Sequence, residues 1–172
     1  RTALPARLGL DAPELLGAVD FTDGSVALWL EPVAGRTGDA IGIEGLAASA
    51  RIIGTAQAMP TAVDDRWLSR GFIADYAASK PADHALFDDD AAWSHPLVAD
   101  NWSPALRAGC AQLWHERRRF HAILAALPRR ICHLDLWPNN MVVRPSGSVA
   151  LLDWSFVGDG ALGEDIGNLV PD

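Results

Sequence analysis

The sequence predicts an α+β protein. Three observations carry that reading. Strand-like runs fold about turn signals at residues 17–31 and 141–152, apolar residues recur at helical spacing over 44–58 and 103–127, and proline or glycine marks the junctions. The chain has 172 residues, 49% of them hydrophobic, which is enough for one domain with a real core. A formal net charge of −8 argues against a nucleic-acid groove and leaves room for a cationic ligand. Two cysteines, Cys110 and Cys132, suggest no disulfide framework and a reducing compartment. No uncharged apolar run approaches the roughly 18 residues of a bilayer span, and the first residues carry no signal-peptide pattern. The expectation is a cytoplasmic protein with no membrane partner.

Taken in order, residues 13–35 read as a β-hairpin. Gly17–Phe21 is one strand, Asp23-Gly24 the turn and Val26–Glu31 the other strand, with Val26, Leu28 and Leu30 alternating against Ala27, Trp29 and Glu31. Pro32 ends the pairing because it has no N–H. Ile43, Leu46, Ala47, Ala50, Ile53, Gly54 and Gln57 predict a helix over 44–58. A second helix is expected over 64–78, although Gly71 weakens it. Residues 81–101 are polar and acidic, with Asp83, Asp88, Asp89, Asp90 and Asp100, and read as an irregular, solvated insertion. Ser103-Pro104 is a helix start. Leu106, Cys110, Leu113, Phe120, Leu124 and Leu127 predict the buried stripe of one long helix that Pro128 stops. His115 and His121 fall on that helix with Arg117, Arg118 and Arg119, an expected exposed basic face.

The chemistry concentrates in His133-Leu134-Asp135-Leu136-Trp137-Pro138-Asn139-Asn140 and in Leu151-Leu152-Asp153-Trp154. Between them, residues 141–144, 145–148 and 149–152 read as strand, tight turn and strand. With Ser146-Gly147 as the central turn residues, Arg144 falls opposite Val149 and Asn140 opposite Asp153. Directly opposed residues share a sheet face. Asp135 is one short loop away. Two carboxylates and an amide oxygen in one place would seat a hard divalent cation such as Mg²⁺.

His-x-Asp-x-x-x-x-Asn followed by an apolar strand that ends in Asp resembles the catalytic loop and metal-binding aspartate of the protein-kinase-like fold. Leu134 stands where protein kinases carry Arg, and Trp154-Ser155 follows Asp153 in place of Phe-Gly. Pro138, the Asp-Trp pair and Gly163-Glu164-Asp165-Ile166-Gly167-Asn168-Leu169 resemble the aminoglycoside phosphotransferase and choline kinase branch, whose members phosphorylate small molecules. The resemblance implies Asp135 as catalytic base, Asn140 and Asp153 as Mg²⁺ ligands, and His133 and Asp165 as structural support for the loop. It also implies that residues 1–35 are the remnant of a small lobe and hinge, and that 36–172 are the helical large lobe. Adenine would then meet the Glu31 carbonyl and the Val33 N–H, with Leu30 at the back of the pocket. On the residues alone, that stretch equally fits an ordinary hairpin with an exposed proline.

The implied reaction is transfer of the γ-phosphoryl group of ATP or GTP to a hydroxyl of a small molecule: an aminoglycoside, a choline-like compound or another metabolite. Two rivals stand beside it. One is a non-catalytic nucleotide- or ligand-binding relative. The other is a metal-dependent phosphohydrolase using His133, Asp135 and Asp153, which would need a second metal about 3.5–4 Å from the first. Lys80, in Ser79-Lys80-Pro81, is the only lysine, and no Gly-x-Gly-x-x-Gly precedes the His133–Asn140 motif. Phosphoryl transfer in this fold normally uses both. The chain is therefore expected to be a fragment, or the ordered part, of a longer kinase-like protein.

Overall fold

In the computed structural model, which describes residues 3–58, 66, 68–79 and 86–169, a short helix, α1 (Ala3–Arg7), leads to a hairpin of β1 (Leu15–Asp20) and β2 (Val26–Leu30). The turn closes where Phe21 N–H donates to the Ser25 carbonyl at 2.9 Å, and Asp23 Oδ1 accepts from the Ser25 N–H and hydroxyl. Strands fall within two residues of their expected ends. The alternation produces no buried face, however. Leu28 and Trp29 point to opposite sides and are 59% and 53% exposed.

A 3₁₀ turn over Gly38–Ile41 feeds α2 (Gly42–Ala58), which matches the helix expected over 44–58. Its buried face carries Gly45, Ser49, Ile53 and Gln57. Arg130 Nε donates to the Gln57 carbonyl at 2.7 Å and so satisfies one of the last free carbonyls of the helix. The helix expected over 64–78 is corrected. Residues 69–70 form β3 (Ser69–Arg70), Gly71 turns left-handed at φ +69°, and α3 (Phe72–Ala78) starts only there. Residues 64, 65, 67, 80 and 81–85, and with them Lys80 and Asp83, lie outside the described residues.

The chain divides into two units, Gly71–Pro128 and the remainder on either side of it. In the Gly71–Pro128 unit, the expected irregular insertion instead winds into short helices: a 3₁₀ turn over Leu86–Asp88, α4 (Asp90–Trp93) and α5 (Pro96–Ala99). Asp89 caps α4 through the Ala91 N–H, and Pro96 at the first turn of α5 fixes its start. The acidic residues here have local partners. Arg107 pairs with Asp90, and His115 meets Asp88 at 3.1 Å. The long helix is also corrected, to α6 (Pro104–His115) and α7 (Arg117–Ala126). Ser103 caps α6 as expected, accepting from the Leu106 N–H at 3.2 Å. At Glu116 ψ opens to 6°, and Gln112 and Arg119 hold its carboxylate from either side. The expected buried stripe is not buried: Leu106 and Leu113 are 48% and 58% exposed. Aromatic packing takes its place, with Phe87 against Trp93 and Trp114, Trp93 against Trp102, and the Arg117 guanidinium 3.9 Å from the Trp114 ring.

The other unit holds every strand. β4 (Arg129–Cys132) pairs antiparallel with β7 (Gly158–Ala161), which pairs in parallel with β3. β5 (Met141–Val143) and β6 (Val149–Leu151) form a separate hairpin. Single bridges extend it on both sides, Arg36 beside Val143 and Asp11 beside Ala150. Its residues Met141, Val143, Val149 and Leu151 join Leu10, Ile41, Ile53, Leu136 and Leu169 in one apolar core. Full burial of such side chains stabilises by about 1.5–3 kcal/mol each, so the hairpin is anchored from beneath. The short helix α8 (Glu164–Gly167) closes the chain's described end. Among the described residues, no helix is long and apolar enough to cross a membrane.

Candidate active site

The loop from β4 to β5 carries His133, Asp135 and Asn140, and its shape is set from below. Leu134 takes φ +67°, a left-handed conformation that side chains rarely adopt. Asp165, only 1% exposed on α8, fixes this turn: its Oδ2 accepts the His133 N–H at 2.9 Å and its Oδ1 the Leu134 N–H at 2.8 Å. Gln57, from the last turn of α2, donates a third bond to Oδ2 at 2.8 Å. Burial raises the Asp165 carboxyl above the usual range, while the Leu134 and His133 N–H groups pull it back. Burial also raises the Cys132 thiol, helped by the nearby Asp165 charge, so this thiol is inert at neutral pH.

The tautomer of His133 follows from its partners. Nδ1 accepts the Asp135 N–H at 3.3 Å, and Nε2 lies 2.7 Å from the Leu152 carbonyl, which can only accept. Nε2 therefore carries a proton and joins the loop to the residue after β6, while Nδ1 braces the loop from within. Trp154 packs on the ring at 4.8 Å between centroids, its own N–H donating to the Leu151 carbonyl at 3.1 Å.

Asp135 and Asn140 meet directly. Asn140 Nδ2 donates to Asp135 Oδ2 and to the Asp135 carbonyl, both at 2.9 Å. This occupies the amide nitrogen and leaves Asn140 Oδ1 as the atom that could accept a metal. The register expected for the hairpin is corrected by one residue. Val143 pairs with Val149, Arg144 N–H reaches Ser148, and Leu152 N–H, not Asp153, reaches the Asn140 carbonyl at 2.8 Å. The reason lies in the turn. Three residues, Pro145, Ser146 and Gly147, make the loop, with Gly147 left-handed at φ +86° where two central residues were expected. Asp153 comes one position after the pairing ends. It too is left-handed, at φ +50°, and its Oδ1 accepts from the Ser155 N–H and hydroxyl. Leu134 and Asp153 are the two non-glycine residues with positive φ among those described, and both flank this site.

As metal donors, Asn140 Oδ1 and the Asp153 carboxylate are hard oxygens. That suits Mg²⁺, which takes few protein ligands and keeps waters and phosphates for the rest. Among the described residues, no cluster of three or more His, Cys, Asp or Glu side chains is placed to hold a metal.

Leu30 ends β2 and is 48% exposed. The Glu31 N–H bonds to the Glu14 carbonyl at 2.9 Å, and Val33 is half-buried. Neither the Glu31 carbonyl nor the Val33 N–H has a partner among the described residues. From there the chain runs along the site: Arg36 exchanges two backbone bonds with Val143, both 2.9 Å, and the Thr37 hydroxyl reaches the Pro138 and Asn139 carbonyls at 3.4 Å. Sequence reasoning did not assign roles to Gln57, Thr37, Arg144 or Asp11. Gln57 left one signal, a polar side chain on the apolar face of α2.

Comparison with known proteins places the chain in a family. The model of the phosphotransferase enzyme family known as APH matches residues 4–172, and the chain belongs to that family. No curated protein matches. Among solved structures, the fold is that of an aminoglycoside-3'-phosphotransferase of type VIII (21% identity, TM-score 0.58). It is also that of the aminoglycoside phosphotransferase APH(3'')-Id from Streptomyces rimosus, solved with ADP and streptomycin (20%, 0.61). The choline kinase LicA from Streptococcus pneumoniae shares it as well (18%, 0.55). These alignments cover 98%, 98% and 96% of this chain but 60%, 62% and 52% of the respective structures. The α+β, protein-kinase-like fold read from the motifs is thereby shown.

Proposed function

We propose that this chain carries the catalytic loop and metal hairpin of an ATP- or GTP-dependent small-molecule kinase. Residues 1–35 supply the end of a small lobe and the hinge, and 36–172 the large lobe. The observation that carries this reading is the Asp135 carboxylate, held by the Asn140 amide on a loop whose turn Asp165 fixes. Asp135 is the base that accepts and orients the acceptor hydroxyl proton. Asn140 and Asp153 hold Mg²⁺, which would neutralise charge on the nucleotide phosphates. Leu30, the Glu31 carbonyl and the Val33 N–H receive the adenine or guanine. Catalysis in such a site is mainly positioning and electrostatics. The acceptor is a small hydroxyl compound, and the acidic chain suits a cationic one, aminoglycoside or choline-like. The protein works in the cytoplasm without nucleic-acid or membrane partners.

The hydrolase reading loses its histidine, because both His133 nitrogens are already bonded, Nδ1 to the Asp135 N–H and Nε2 to the Leu152 carbonyl. The test is turnover in the full-length protein with ATP and either streptomycin or choline as acceptor. Asp135→Asn should lower turnover by about two orders of magnitude or more, the usual scale for a positioned base, with Mg·ATP affinity little changed. Asp153→Ala should weaken Mg·ATP binding instead. Wild-type turnover by Asp135→Asn would refute the base role, and intact Mg·ATP binding by Asp153→Ala would refute the metal role.

A further inference from the structure

Arg144 joins three segments that are distant in sequence. Its Nε lies 3.0 Å from Asp11 Oδ2, and its Nη1 lies 3.7 Å from Glu31 Oε1. Asp11 precedes the first hairpin and bridges to β6, where the Leu151 N–H donates to its carbonyl at 2.9 Å. Glu31 follows β2, and its second oxygen accepts the Glu14 N–H at 3.2 Å. Arg144 itself sits at the turn end of the hairpin whose other end carries Asn140 and Asp153. The planar guanidinium serves two carboxylates at once, which a lysine cannot match.

The segment after Glu31 is fastened at its far end as well. Arg36 and Val143 exchange backbone bonds, and a Cβ on Gly35 would run into the Val143 carbonyl oxygen, so only glycine permits that approach. Residues 31–36 thus span two fixed points on one hairpin: the Arg144 side chain and the Val143 backbone.

We propose that Arg144 is a positioning residue for nucleotide binding, setting the recognition segment Leu30–Val33 at a fixed distance from the metal-carrying end of the β5–β6 hairpin. This rests on the nucleotide reading of residues 30–33 given above. A nucleotide held at its base by one segment and at its phosphates by another binds well only when the two stay in register. Arg144 lies outside the apolar core, which anchors the hairpin without it. Its removal therefore loosens the tether and spares the fold.

The experiment measures Mg·ADP affinity by calorimetry in the full-length protein. Arg144→Ala should weaken binding about two- to fivefold, the range of a partly exposed ion pair, and Arg144→Lys should recover part of the loss. Arg144→Ala combined with Glu31→Gln should bind no worse than Arg144→Ala alone. Hydrogen exchange supplies a readout independent of affinity: the Glu31 and Arg36 amides should exchange several-fold faster in Arg144→Ala, with Ile53 on the buried face of α2 unchanged. Wild-type binding with an unaltered Arg144→Ala affinity overturns this proposal and leaves the nucleotide reading standing. Absence of binding by the wild type overturns both. Uniform acceleration of exchange across the chain marks a merely structural role and also overturns it.

Discussion

Leu134 sits at φ +67°, a conformation that costs a residue with a Cβ about 1–2 kcal/mol, and the Asp165 carboxylate stands where it can hold that turn. Asp165 accepts three hydrogen bonds in a buried setting, from His133, Leu134 and Gln57. Asp165→Ala leaves three buried donors unpaired, each costing about 1–3 kcal/mol. A stability loss of about 3 kcal/mol or more is expected, read as a shift of the urea midpoint. Gln57→Leu removes one donor and keeps the burial. The Asp165 carboxyl should then move further up, because the ionised form loses a partner while its desolvation persists. Carboxyl carbon chemical shifts followed against pH would show it, and an unchanged midpoint would mean that Gln57 contributes nothing to the charge. The spacing of Asp135 and Asn140 made their meeting legible from sequence, because residues five apart in one loop between strands have little freedom to separate. Gln57 was not legible in that way. It lies 108 residues before its partner Asp165, and helical spacing alone reports which face it occupies, not what it bonds.

At the scale of elements, the β5–β6 hairpin was legible and its register was not. Turn type decides register, and a one-residue change moves every opposed pair. Pro145 first and Gly147 left-handed make a three-residue loop, so Asn140 faces Leu152 and Asp153 begins the next turn. Gly147→Val places a β-branched residue at φ +86° and should cost about 1–2 kcal/mol. Gly147→Asn, which tolerates left-handed geometry, should cost less. Equal urea midpoints for the two variants would show that the loop reshapes freely and does not fix the register. The helix expected over 103–127 failed for a related reason. Apolar spacing continues through Glu116, so periodicity had no way to signal the opening of ψ there. The short helices over 86–99 were hidden by composition. Acidic, polar residues suggested solvated coil, yet Asp89 and Asp90 serve as a cap and an ion-pair partner.

For the whole molecule, the fold class was legible because the His133–Asn140 motif, Asp153 and the Asp165 segment occur in a set order, which composition alone does not provide. The hairpin β1–β2 holds the next consequence. Leu16, Leu28, Trp29 and Leu30 are all close to half exposed or more, on both faces of a two-stranded sheet. Two strands without a covered face are marginal in water, and their edges invite pairing with other chains. The 172 residues alone are expected to self-associate through this hairpin, seen as concentration-dependent mass in light scattering. Leu28→Lys should reduce it by placing a charge on the exposed face.

The same chain is expected to lack phosphotransfer on its own. Its single lysine, Lys80, stands before Pro81, and no Gly-x-Gly-x-x-Gly that could cover the phosphates precedes the His133–Asn140 loop. The β- and γ-phosphates would then lack charge-assisted contacts worth about 1.5–3 kcal/mol each. Asp135, Asn140 and Asp153, in the roles proposed for them, would orient an acceptor and a metal, but they cannot supply those contacts. Purified 172-residue protein, given labelled ATP, Mg²⁺ and either streptomycin or choline, should transfer no label above background. Robust transfer would show that the phosphates are anchored by other residues of this chain.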